Sequence, residues 1–454
     1  MTKNFNIDAD KKVNKSFAIY TLGCKVNQEE GVALSNVFKE HGWNQVDFET
    51  PADVTVINTC TVTHLADRKS RQFIRRASRA NPQGLVVATG CYAQVGKAEI
   101  AEIEGVDIII GTNDRHLLFD YVMENLGKKQ DSPKIYVTPT NKIDSFKNMG
   151  NLNNDTKRER AFLKIEDGCS QFCSYCIIPY ARGPVRSRPL SDIVTEAKEL
   201  VAKGYGELVL TGIHTGAYGT DLKDGSNLAQ VAKALAEIND LHRLRLGSIE
   251  PQEVTDELIE VVASYKNICP HFHIPLQAGS DQVIAAMNRH YTMDYYAELL
   301  QKIRKQIPNV AITTDLIVGF PGETDEQFAD SLIRIKELQF ADMHIFPYSP
   351  RKGTPAAAMK NQVDPQVKSE RAKQMAELCD DMKTDFWQEQ LGAKLEILTE
   401  QEMTWEGSVY MTGHSPNYLP LAILVEADEK IPQGIFLQLK ITEIKGNHLI
   451  GKII

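Results

Sequence analysis

Short apolar runs alternate with longer segments of mixed polarity along most of the chain. In the first part, up to about Gly127, the apolar runs are strand-sized and lack an alternating polar face, which is typical of strands buried on both sides of a parallel sheet. These runs are Phe17–Leu22, Val54–Asn58, Leu85–Thr89 and Val106–Ile110. Amphipathic segments such as 29–41 and 67–80 separate them. The pattern predicts an open parallel α/β sheet.

A second series of apolar runs extends from about residue 157 to about residue 390. Its predicted strands are Phe162–Ile165, Glu207–Leu210, Leu244–Gly247, Phe272–Pro275, Thr313–Val318 and Met343–Phe346. Its predicted helices include Leu190–Lys203, Leu228–Ile238, Asp281–Met287 and Asp325–Leu338. Repeated strand–helix units of this kind predict a partial (β/α)6 barrel, whose reactive groups are expected at the carboxyl ends of the strands.

The pattern changes again near Gly392, where short alternating strands follow one another with Gly, Pro and Asn between them. The predicted strands are Leu395–Leu398, Val409–Thr412, Leu421–Glu426, Ile435–Ile441 and Leu449–Ile453. They predict a small antiparallel β-barrel. The chain as a whole is therefore expected to be α/β, with a tail at 1–16, a first domain at 17–127, a polar linker at 128–156, a second domain at 157–385 and a third at 386–454.

Composition narrows the function classes. The chain has 51 Lys and Arg against 60 Asp and Glu, a formal net charge of −9, which excludes a uniformly basic nucleic-acid coat but permits a local basic patch. Residues 1–16 have no apolar core typical of a signal peptide, and no apolar run is long enough to span a membrane. The 8 cysteines are too few for a disulfide scaffold in a chain this long, so metal or redox chemistry in the cytoplasm is expected.

Three cysteines form a tight motif directly after the first strand of the predicted barrel. Cys169, Cys173 and Cys176 have the spacing C-x3-C-x2-C, within KIEDGCSQFCSYCIIPYARG. Three thiolates from one loop can ligate a [4Fe–4S] cluster and leave one iron open for another ligand. A structural zinc site is the alternative, although such sites usually present four ligands in paired spacing.

Three further cysteines share a different context. Cys24, Cys60 and Cys91 follow predicted buried strands in AIYTLGC, TVINTC and VVATGC. The carboxyl ends of parallel strands meet at one edge of a sheet, so these thiols are expected to converge and ligate a second cluster with one open iron. Each cysteine alone would be read as an ordinary core residue, which is also the interpretation for Cys269 and Cys379.

The two triads together resemble the radical S-adenosylmethionine (SAM) methylthiotransferases, over nearly the whole chain. The supporting stretches are HIPLQAGSD (His273–Asp281), TTDLIVGFPGET (Thr313–Thr324) and YSPRKGTPA (Tyr348–Ala356). The family's usual Ser in the first stretch is Ala278 here. The stretches TLGCKVNQ, INTCTVT and LTGIHTGAYG look like the bacterial branch that acts on N6-threonylcarbamoyladenosine at position 37 of tRNA.

The resemblance implies a radical SAM domain at 157–385, a terminal TRAM domain at 386–454 and two [4Fe–4S] clusters with SAM as cofactors. In this family a methylthio group is inserted at C2 of the adenine. The resemblance implies that the cluster of the first domain holds the sulfur and that the cluster of the radical SAM domain generates the radical. No side chain is assigned as a general base. The candidate SAM contacts lie in loops after strands, with a structural hydrogen bond as an equal alternative for one of them, Gln277. These candidates are Thr211, Gly212, Gln277, Gly319 and Glu323.

Clustered arginines suggest where RNA would bind. Arg68, Arg71, Arg75 and Arg79 recur at helical spacing on one face, and a separate cluster of Arg182, Arg186 and Arg188 lies beside the radical triad. A further basic group comprises Lys157, Arg158 and Arg160. These charges could attract the phosphates of a tRNA anticodon stem-loop, although a solvated helix face is the simpler explanation for any single arginine.

Other partners and other functions stay open. An electron donor such as flavodoxin or ferredoxin is implied by the resemblance, and the source of sulfur is unknown. The competing functions are methylthiolation of another tRNA adenosine, methylthiolation of a ribosomal-protein aspartate, and a non-catalytic iron–sulfur protein that binds RNA or senses redox state.

Overall fold

The computed structural model describes residues 15–129, 131–149, 159–426 and 430–454. Most of the predicted tail, parts of the predicted linker, and Lys157 and Arg158 of the predicted basic group lie outside the described residues. The described chain divides into two compact units. With the gaps just given, the first comprises 15–143, 147–149 and 180–182, and the second comprises 144–146, 159–179 and 183–454.

The first unit is built on a six-stranded sheet. Its strands are β1 (Ser16–Thr21), β2 (Asn44–Gln45), β3 (Val54–Thr59), β4 (Leu85–Gly90), β5 (Ile108–Ile110) and β6 (Lys134–Tyr136). Its helices are α1 (Lys25–Glu40), α2 (His64–Ala80), α3 (Cys91–Val95), α4 (Lys97–Ala101) and α5 (Leu118–Asn125). All strands are parallel, in the order β2-β1-β3-β4-β5-β6, which confirms the predicted open sheet.

The sheet extends further than the apolar pattern predicted. Strand β6 lies in the stretch predicted as a linker, yet it pairs in parallel with β5. The Tyr136 ring stacks on Tyr121, with centroids 3.8 Å apart, and Gly111 donates a backbone hydrogen bond to the Tyr136 carbonyl. A strand of three residues is too short to produce a periodic signal, so its backbone pairing with an exposed sheet edge decides its structure.

The second unit continues the chain with alternating strands and helices. Its strands before residue 390 are β7 (Arg160–Lys164), β8 (Glu166–Asp167), β9 (Arg186–Ser187), β10 (Glu207–Thr211), β11 (Arg243–Arg245), β12 (His271–His273), β13 (Ala311–Val318) and β14 (Asp342–Pro347). The helices after α5 are α6 (Ile178–Arg182), α7 (Leu190–Ala202), α8 (Leu228–Ala236), α9 (Asp256–Ser264), α10 (Asp281–Ala286), α11 (Met293–Gln306), α12 (Asp325–Leu338) and α13 (Pro365–Gln388). The last three residues of α6 belong to the first unit.

Six of these strands form the predicted partial barrel. The orders β11-β10-β7 and β12-β13-β14 define two parallel sheets, and isolated parallel bridges from Leu244 to Ile268 and from Ser248 to His273 join them. Apolar side chains from the strands and the surrounding helices form one continuous core, in which Leu208, Leu244 and Phe272 are fully buried. The arrangement agrees with the expected (β/α)6 architecture.

Local signals explain where individual helices begin. Thr324 caps α12 through a reciprocal capping box with Gln327, and Asp364 caps α13 with Pro365 at its first position. Each arrangement satisfies a backbone N–H that the helix itself leaves unpaired.

The chain ends in a closed five-stranded barrel. Its strands are β15 (Lys394–Trp405), β16 (Ser408–His414), β17 (Pro420–Leu424), β18 (Phe436–Lys445) and β19 (His448–Ile453). Their order is β15-β16-β17-β19-β18, and the β17–β19 pair is parallel. A ring with an odd number of strands cannot be antiparallel throughout, so the predicted small antiparallel barrel is confirmed with one parallel pair.

Buried charged side chains of the (β/α)6 barrel bind residues of this terminal barrel. Glu207 is fully buried, and Arg245 donates to it with Nε–Oε1 at 2.8 Å. Arg245 also donates to the carbonyl oxygens of Ser415 and Pro416, while Arg243 binds Glu396. Within the described residues, no helix combines the length and the apolarity that crossing a bilayer requires.

Candidate functional site

The three cysteines of the first unit sit at the carboxyl ends of neighbouring strands. Cys60 directly follows β3, Cys91 directly follows β4, and Cys24 lies three residues beyond β1. Burial and the neighbouring Cys91 and Cys24 thiols raise the pKa of Cys60 to about 11. Electrostatic coupling of this kind requires that the Cys91 and Cys24 thiols lie near Cys60. That the three thiols ligate one cluster stays a prediction. None of the eight cysteines, all of which the structure describes, forms a disulfide.

Two glycines allow the backbone to pass close to these thiols. Gly23 and Gly90 precede Cys24 and Cys91, with φ angles of +103° and +97°. A Cβ on Gly23 would lie 2.7 Å from the Cys60 sulfur, and one on Gly90 would collide with the Thr59 carbonyl oxygen. Both the left-handed conformation and the lack of space therefore require glycine beside the thiol group.

A buried arginine supports the same site. Arg182 is fully buried, and its Nε lies 3.2 Å from the Cys91 sulfur. Its two terminal nitrogens donate to the carboxylate of Glu30, at 2.7 and 3.0 Å, and to Asn27. Burial raises the pKa of the Cys91 thiol, and the positive charge of Arg182 opposes that rise. The site therefore offers three thiols and one fixed cation, a donor set that suits an anionic thiolate-ligated cluster.

The second triad occupies a loop after β7 and β8 in the second unit. Cys173 is buried, while Cys169 and Cys176 are partly buried. Burial and the neighbouring Cys173 and Cys169 thiols raise the pKa of Cys176 to about 12. The loop turns tightly, because the Cys176 N–H donates to the Cys173 carbonyl at 2.9 Å. Neutral thiols of this kind become ligands when a metal displaces their protons.

Nitrogen donors surround these sulfurs. The Gln171 backbone N–H and the His214 Nδ1 each lie 3.5 Å from the Cys169 sulfur, and Arg289 Nη1 lies 3.6 Å from the Cys173 sulfur. Burial alone would lower the pKa of His214, but its hydrogen bonds with Cys169 and Glu253 raise it to about 11. Such donors to cluster sulfurs stabilise negative charge and tune a reduction potential.

The sequence placed Arg182 in a basic cluster expected to attract RNA phosphates, and this was wrong because Arg182 is fully buried beside Cys91. His214 and Arg289 were not predicted as donors to the cysteine sulfurs. His214 lies within the quoted stretch LTGIHTGAYG, so its position after β10 was a usable signal. Arg289 follows α10 by three residues and reaches Cys173 from 116 positions away, which no local pattern records.

Two predicted SAM contacts lie at the end of β10. Thr211 is the last residue of that strand and is buried, and its carbonyl accepts from the Ile165 N–H at 3.0 Å. Gly212 packs against the carboxylate of Glu166, which leaves no room for a side chain. Burial raises the pKa of Glu166 to about 8. Both residues line the loop that carries His214, and their contact with SAM stays a prediction.

The other three predicted SAM contacts lie near the end of β13. Gln277 is held by backbone hydrogen bonds to Asp315 and from Ile317, both 2.8 Å long. The Glu323 carboxylate accepts from the Gly319 N–H at 2.7 Å and pairs with Arg371 at 2.6 Å. These bonds give Gly319 and Glu323 a structural role in the loop after β13, and they give Gln277 one in the segment after β12. Contact of the three residues with SAM stays a prediction.

The arginine face of α2 is only partly available to a ligand. Arg68, Arg75 and Arg79 are exposed, whereas the opposite face of the helix is buried. Arg71 donates to the Tyr92 hydroxyl at 2.7 Å and pairs with Glu99 at 3.4 Å, so it is engaged within its own unit.

Arg186 contradicts its predicted role. It is 4% exposed, donates to the Pro184 carbonyl at 2.7 Å and pairs with Asp167. A guanidinium buried between β8 and β9 is not accessible to RNA phosphates, so this prediction was wrong.

Comparison with known families agrees with the two-unit architecture. Residues 163–335 match the Radical SAM superfamily, and residues 16–111 match the Uncharacterized protein family UPF0004. The chain is 45% identical over 404 residues to the threonylcarbamoyladenosine tRNA methylthiotransferase MtaB of Bacillus subtilis, covering 88% of this chain and 89% of that protein. The chain belongs to the tRNA methylthiotransferase family.

Other members of the family are also similar along most of the sequence. The MtaB protein of Aquifex aeolicus is 40% identical, with 85% of this chain and 93% of that protein covered. The tRNA-2-methylthio-N(6)-dimethylallyladenosine synthase of Carboxydothermus hydrogenoformans is 35% identical over 97% of this chain and 99% of that protein. Members of this family are radical SAM enzymes with two [4Fe–4S] clusters, and this chain has two separate groups of three thiols.

The fold also resembles solved radical SAM structures. The methyltransferase TsrM from Kitasatospora setae, with cobalamin and a [4Fe–4S] cluster bound, superposes with a TM-score of 0.58 at 14% identity, over 76% of this chain and 77% of that chain. At this identity the likeness establishes the fold alone.

Proposed function

We propose that this methylthiotransferase inserts a methylthio group at C2 of N6-threonylcarbamoyladenosine at position 37 of tRNA. The observation that carries the proposal is the high identity to proteins named for that nucleoside, combined with two separate three-thiol groups. The more distant relatives named for dimethylallyladenosine make that nucleoside the main competing substrate.

The target bond explains why the site needs iron–sulfur chemistry. The C2 hydrogen of adenine is on an aromatic carbon, so a side-chain base cannot remove it as a proton, and hydride is a poor leaving group. General acid–base catalysis, worth about 10²–10⁴-fold, does not address either difficulty. A cofactor-derived radical avoids both difficulties.

We assign the [4Fe–4S] cluster that binds SAM to Cys169, Cys173 and Cys176. When bound, this cluster and SAM supply the radical chemistry of the superfamily. The protein contributes the three thiolates, and His214 and Arg289 offer nitrogen donors to two of their sulfurs. Thr211, Gly212, Gln277, Gly319 and Glu323 shape the loops expected to hold SAM.

We assign the second cluster to Cys24, Cys60 and Cys91, where it would carry the sulfur to be transferred. Arg182 holds a positive charge against the Cys91 sulfur, and Glu30 and Asn27 fix its guanidinium in place. The chain therefore contributes a preorganised, partly charge-compensated pocket of thiols.

The exposed arginines of α2 are proposed to bind phosphates of the anticodon stem-loop, and the terminal barrel is proposed to be a TRAM module that adds RNA contacts. An unpaired loop nucleotide can leave the stack at little cost, which suits a base-modifying enzyme.

A flavodoxin or ferredoxin is proposed as the electron donor, and the cytoplasm as the compartment because the substrate is found there.

The experiment uses anaerobically reconstituted protein with SAM and a chemical reductant. Three substrates are compared: tRNA with N6-threonylcarbamoyladenosine, tRNA with dimethylallyladenosine, and the ribosomal protein with the candidate aspartate. Mass spectrometry of nucleosides or peptides reports the product. Product on the first substrate alone supports the proposal, and product on either of the others alone overturns it. Absence of any SAM cleavage would instead favour a non-catalytic iron–sulfur protein.

A further inference from the structure

A polar cluster lies on one face of three neighbouring strands, β12, β13 and β14. In their parallel register His273 is beside Thr313, Asp315 is beside His344, and Ile317 is beside Phe346. Residues that pair across parallel strands share a face. The opposite face carries Phe272, Leu316 and Met343, which are buried in the main core.

One carboxylate joins two imidazoles in this cluster. Asp315 Oδ1 lies 3.3 Å from His273 Nε2 and 3.1 Å from His344 Nδ1, and His273 Nδ1 lies 2.9 Å from the Thr313 hydroxyl. Burial alone would raise the pKa of Asp315, but the hydrogen bonds from the two histidines bring it well below its usual value. The cluster thus holds an ionised carboxylate and imidazole nitrogens within a few ångströms of one another.

The cluster is accessible, and an exposed aromatic ring continues it. The His344 side chain is 63% exposed and Phe346 is 48% exposed. Their ring centroids are 6.5 Å apart. The adjacent backbone is shared with a predicted SAM loop, because the Gln277 N–H donates to the Asp315 carbonyl at 2.8 Å. An exposed phenylalanine beside clustered polar groups is a common feature of sites where a base stacks.

The names of the relatives specify two tRNA nucleosides, and these differ in whether they can form hydrogen bonds with such a surface. A dimethylallyl group is a hydrocarbon, and covering His273, Asp315 and His344 with it would remove their water without returning a hydrogen bond. A threonylcarbamoyl group carries a carboxylate, a hydroxyl and N–H groups, so it can both accept from imidazole and donate to a carboxylate. Sites built for hydrogen bonding reject analogues that lack the polar groups far more strongly than apolar pockets reject an extra methylene.

We propose that the His273–Asp315–His344 cluster binds the carboxylate and hydroxyl of the N6-threonylcarbamoyl group while Phe346 stacks on the base, and that this cluster sets the choice between the two nucleosides. The inference rests on the proposed function. It assigns His344 and Asp315 as specificity-determining residues that would touch the substrate's substituent.

The test measures binding of tRNA with and without the threonylcarbamoyl group to wild type, His344→Leu, His344→Asn, Asp315→Asn and Phe346→Ala. Wild type is expected to prefer the modified tRNA. His344→Leu should reduce that preference roughly tenfold or more, the loss expected for one charge-assisted hydrogen bond, and His344→Asn should restore part of it. Phe346→Ala should weaken both tRNAs by a similar factor, because stacking does not depend on the substituent.

Several results would overturn the inference. If wild type methylthiolates the threonylcarbamoyl nucleoside but His344→Leu and Asp315→Asn keep the wild-type binding preference, the cluster does not recognise the substituent. If wild type carries one divalent ion per chain beyond its clusters, and Asp315→Asn loses that ion, the trio is a metal site instead. Failure of wild type to act on that nucleoside would be a separate result, against the proposed function itself. Because His344 is largely exposed, its substitutions should keep wild-type iron content and thermal midpoint.

Discussion

The guanidinium Nε of Arg182 lies 3.2 Å from the sulfur of Cys91, at the carboxyl end of β4. The same guanidinium binds the Glu30 carboxylate, which also pairs with Arg115. Arg182, Arg115 and Glu30 are all nearly inaccessible to solvent. A cation held this firmly against a thiol stabilises the thiolate form and any anionic group ligated there.

We therefore expect Arg182→Gln to alter the cluster assigned to Cys24, Cys60 and Cys91 without removing it. Gln keeps a hydrogen-bond donor but not the charge, so the reduction potential of this cluster should shift to more negative values. The measurement is an EPR-monitored redox titration in a Cys169→Ala, Cys173→Ala, Cys176→Ala background, which leaves one three-thiol group.

The matched comparison is Arg182→Lys, which restores the charge and should recover part of the shift. Arg115→Lys is the second control, because Arg115 binds the same Glu30 carboxylate and this variant keeps its charge. An unchanged potential in Arg182→Gln, with full iron content, would contradict a tuning role for this arginine.

The two triads should be separable by substitution. Cys173→Ala is expected to abolish formation of 5′-deoxyadenosine, because it removes a ligand of the cluster that binds SAM, while the spectrum of the first-unit cluster remains. Cys60→Ala should leave SAM cleavage detectable and stop insertion of the methylthio group. Liquid chromatography with mass spectrometry measures both products. Cys269→Ala serves as the control, since that buried cysteine belongs to neither group.

A general rule of parallel sheets predicted the first-unit site from the sequence. Cys60 and Cys91 each come two residues after a continuous apolar run, and the structure places both directly after buried strands. Gly23 and Gly90 mark where the chain turns beside a thiol. Arg182 was not assignable to the same site, because its partner Glu30 is 152 positions away in the sequence and no local pattern pairs them. Long-range ion pairs leave no local signal.

The same limit explains the arginine predictions. Helical spacing predicted that Arg68, Arg71, Arg75 and Arg79 share a face of α2, but spacing does not reveal which arginine meets an acid. Arg71 reaches Tyr92 and Glu99, and Arg186 is enclosed by Asp167 and the Pro184 carbonyl. Only a three-dimensional arrangement distinguishes an available cation from one that is already paired.

The exposed arginines of α2 should contribute salt-dependent affinity for tRNA. Replacing Arg68, Arg75 and Arg79 by Ala is expected to weaken tRNA binding roughly tenfold at about 0.1 M salt and to reduce the slope of log Kd against log salt by about 2. The control removes three exposed lysines on or next to helices of the second unit: Lys198, Lys203 and Lys233. If both triple variants change affinity and slope equally, the effect is one of net charge and α2 has no specific role.

Glu207 should stabilise the second unit through charge compensation. Its carboxylate is fully buried among Arg245, Arg243 and Arg160. Glu207→Gln preserves the shape but leaves the arginine charges uncompensated, which should cost about 3–5 kcal/mol of unfolding free energy. Urea denaturation followed by tryptophan fluorescence measures the change.

The control for Glu207 is Glu377→Gln on α13, where the carboxylate is 67% exposed and 4.0 Å from Lys373. This substitution should alter the free energy of unfolding by less than about 1 kcal/mol, as expected for an exposed ion pair. Equal effects of the two variants would show that the Glu207 network adds no stability.

Glu166 should make the second unit less stable as pH rises. Burial raises the pKa of its carboxyl from 4.5 to about 8 in the folded chain, so between these values the unfolded chain releases this proton and the folded chain keeps it. Stability from the protonated carboxyl is therefore complete below pH 4.5 and is lost as pH rises towards 8. Glu166→Gln mimics the protonated form, so its urea midpoint should fall less than that of wild type across this range. The exposed Glu260→Gln should follow wild type, and a Glu166→Gln curve parallel to wild type would contradict the shifted pKa.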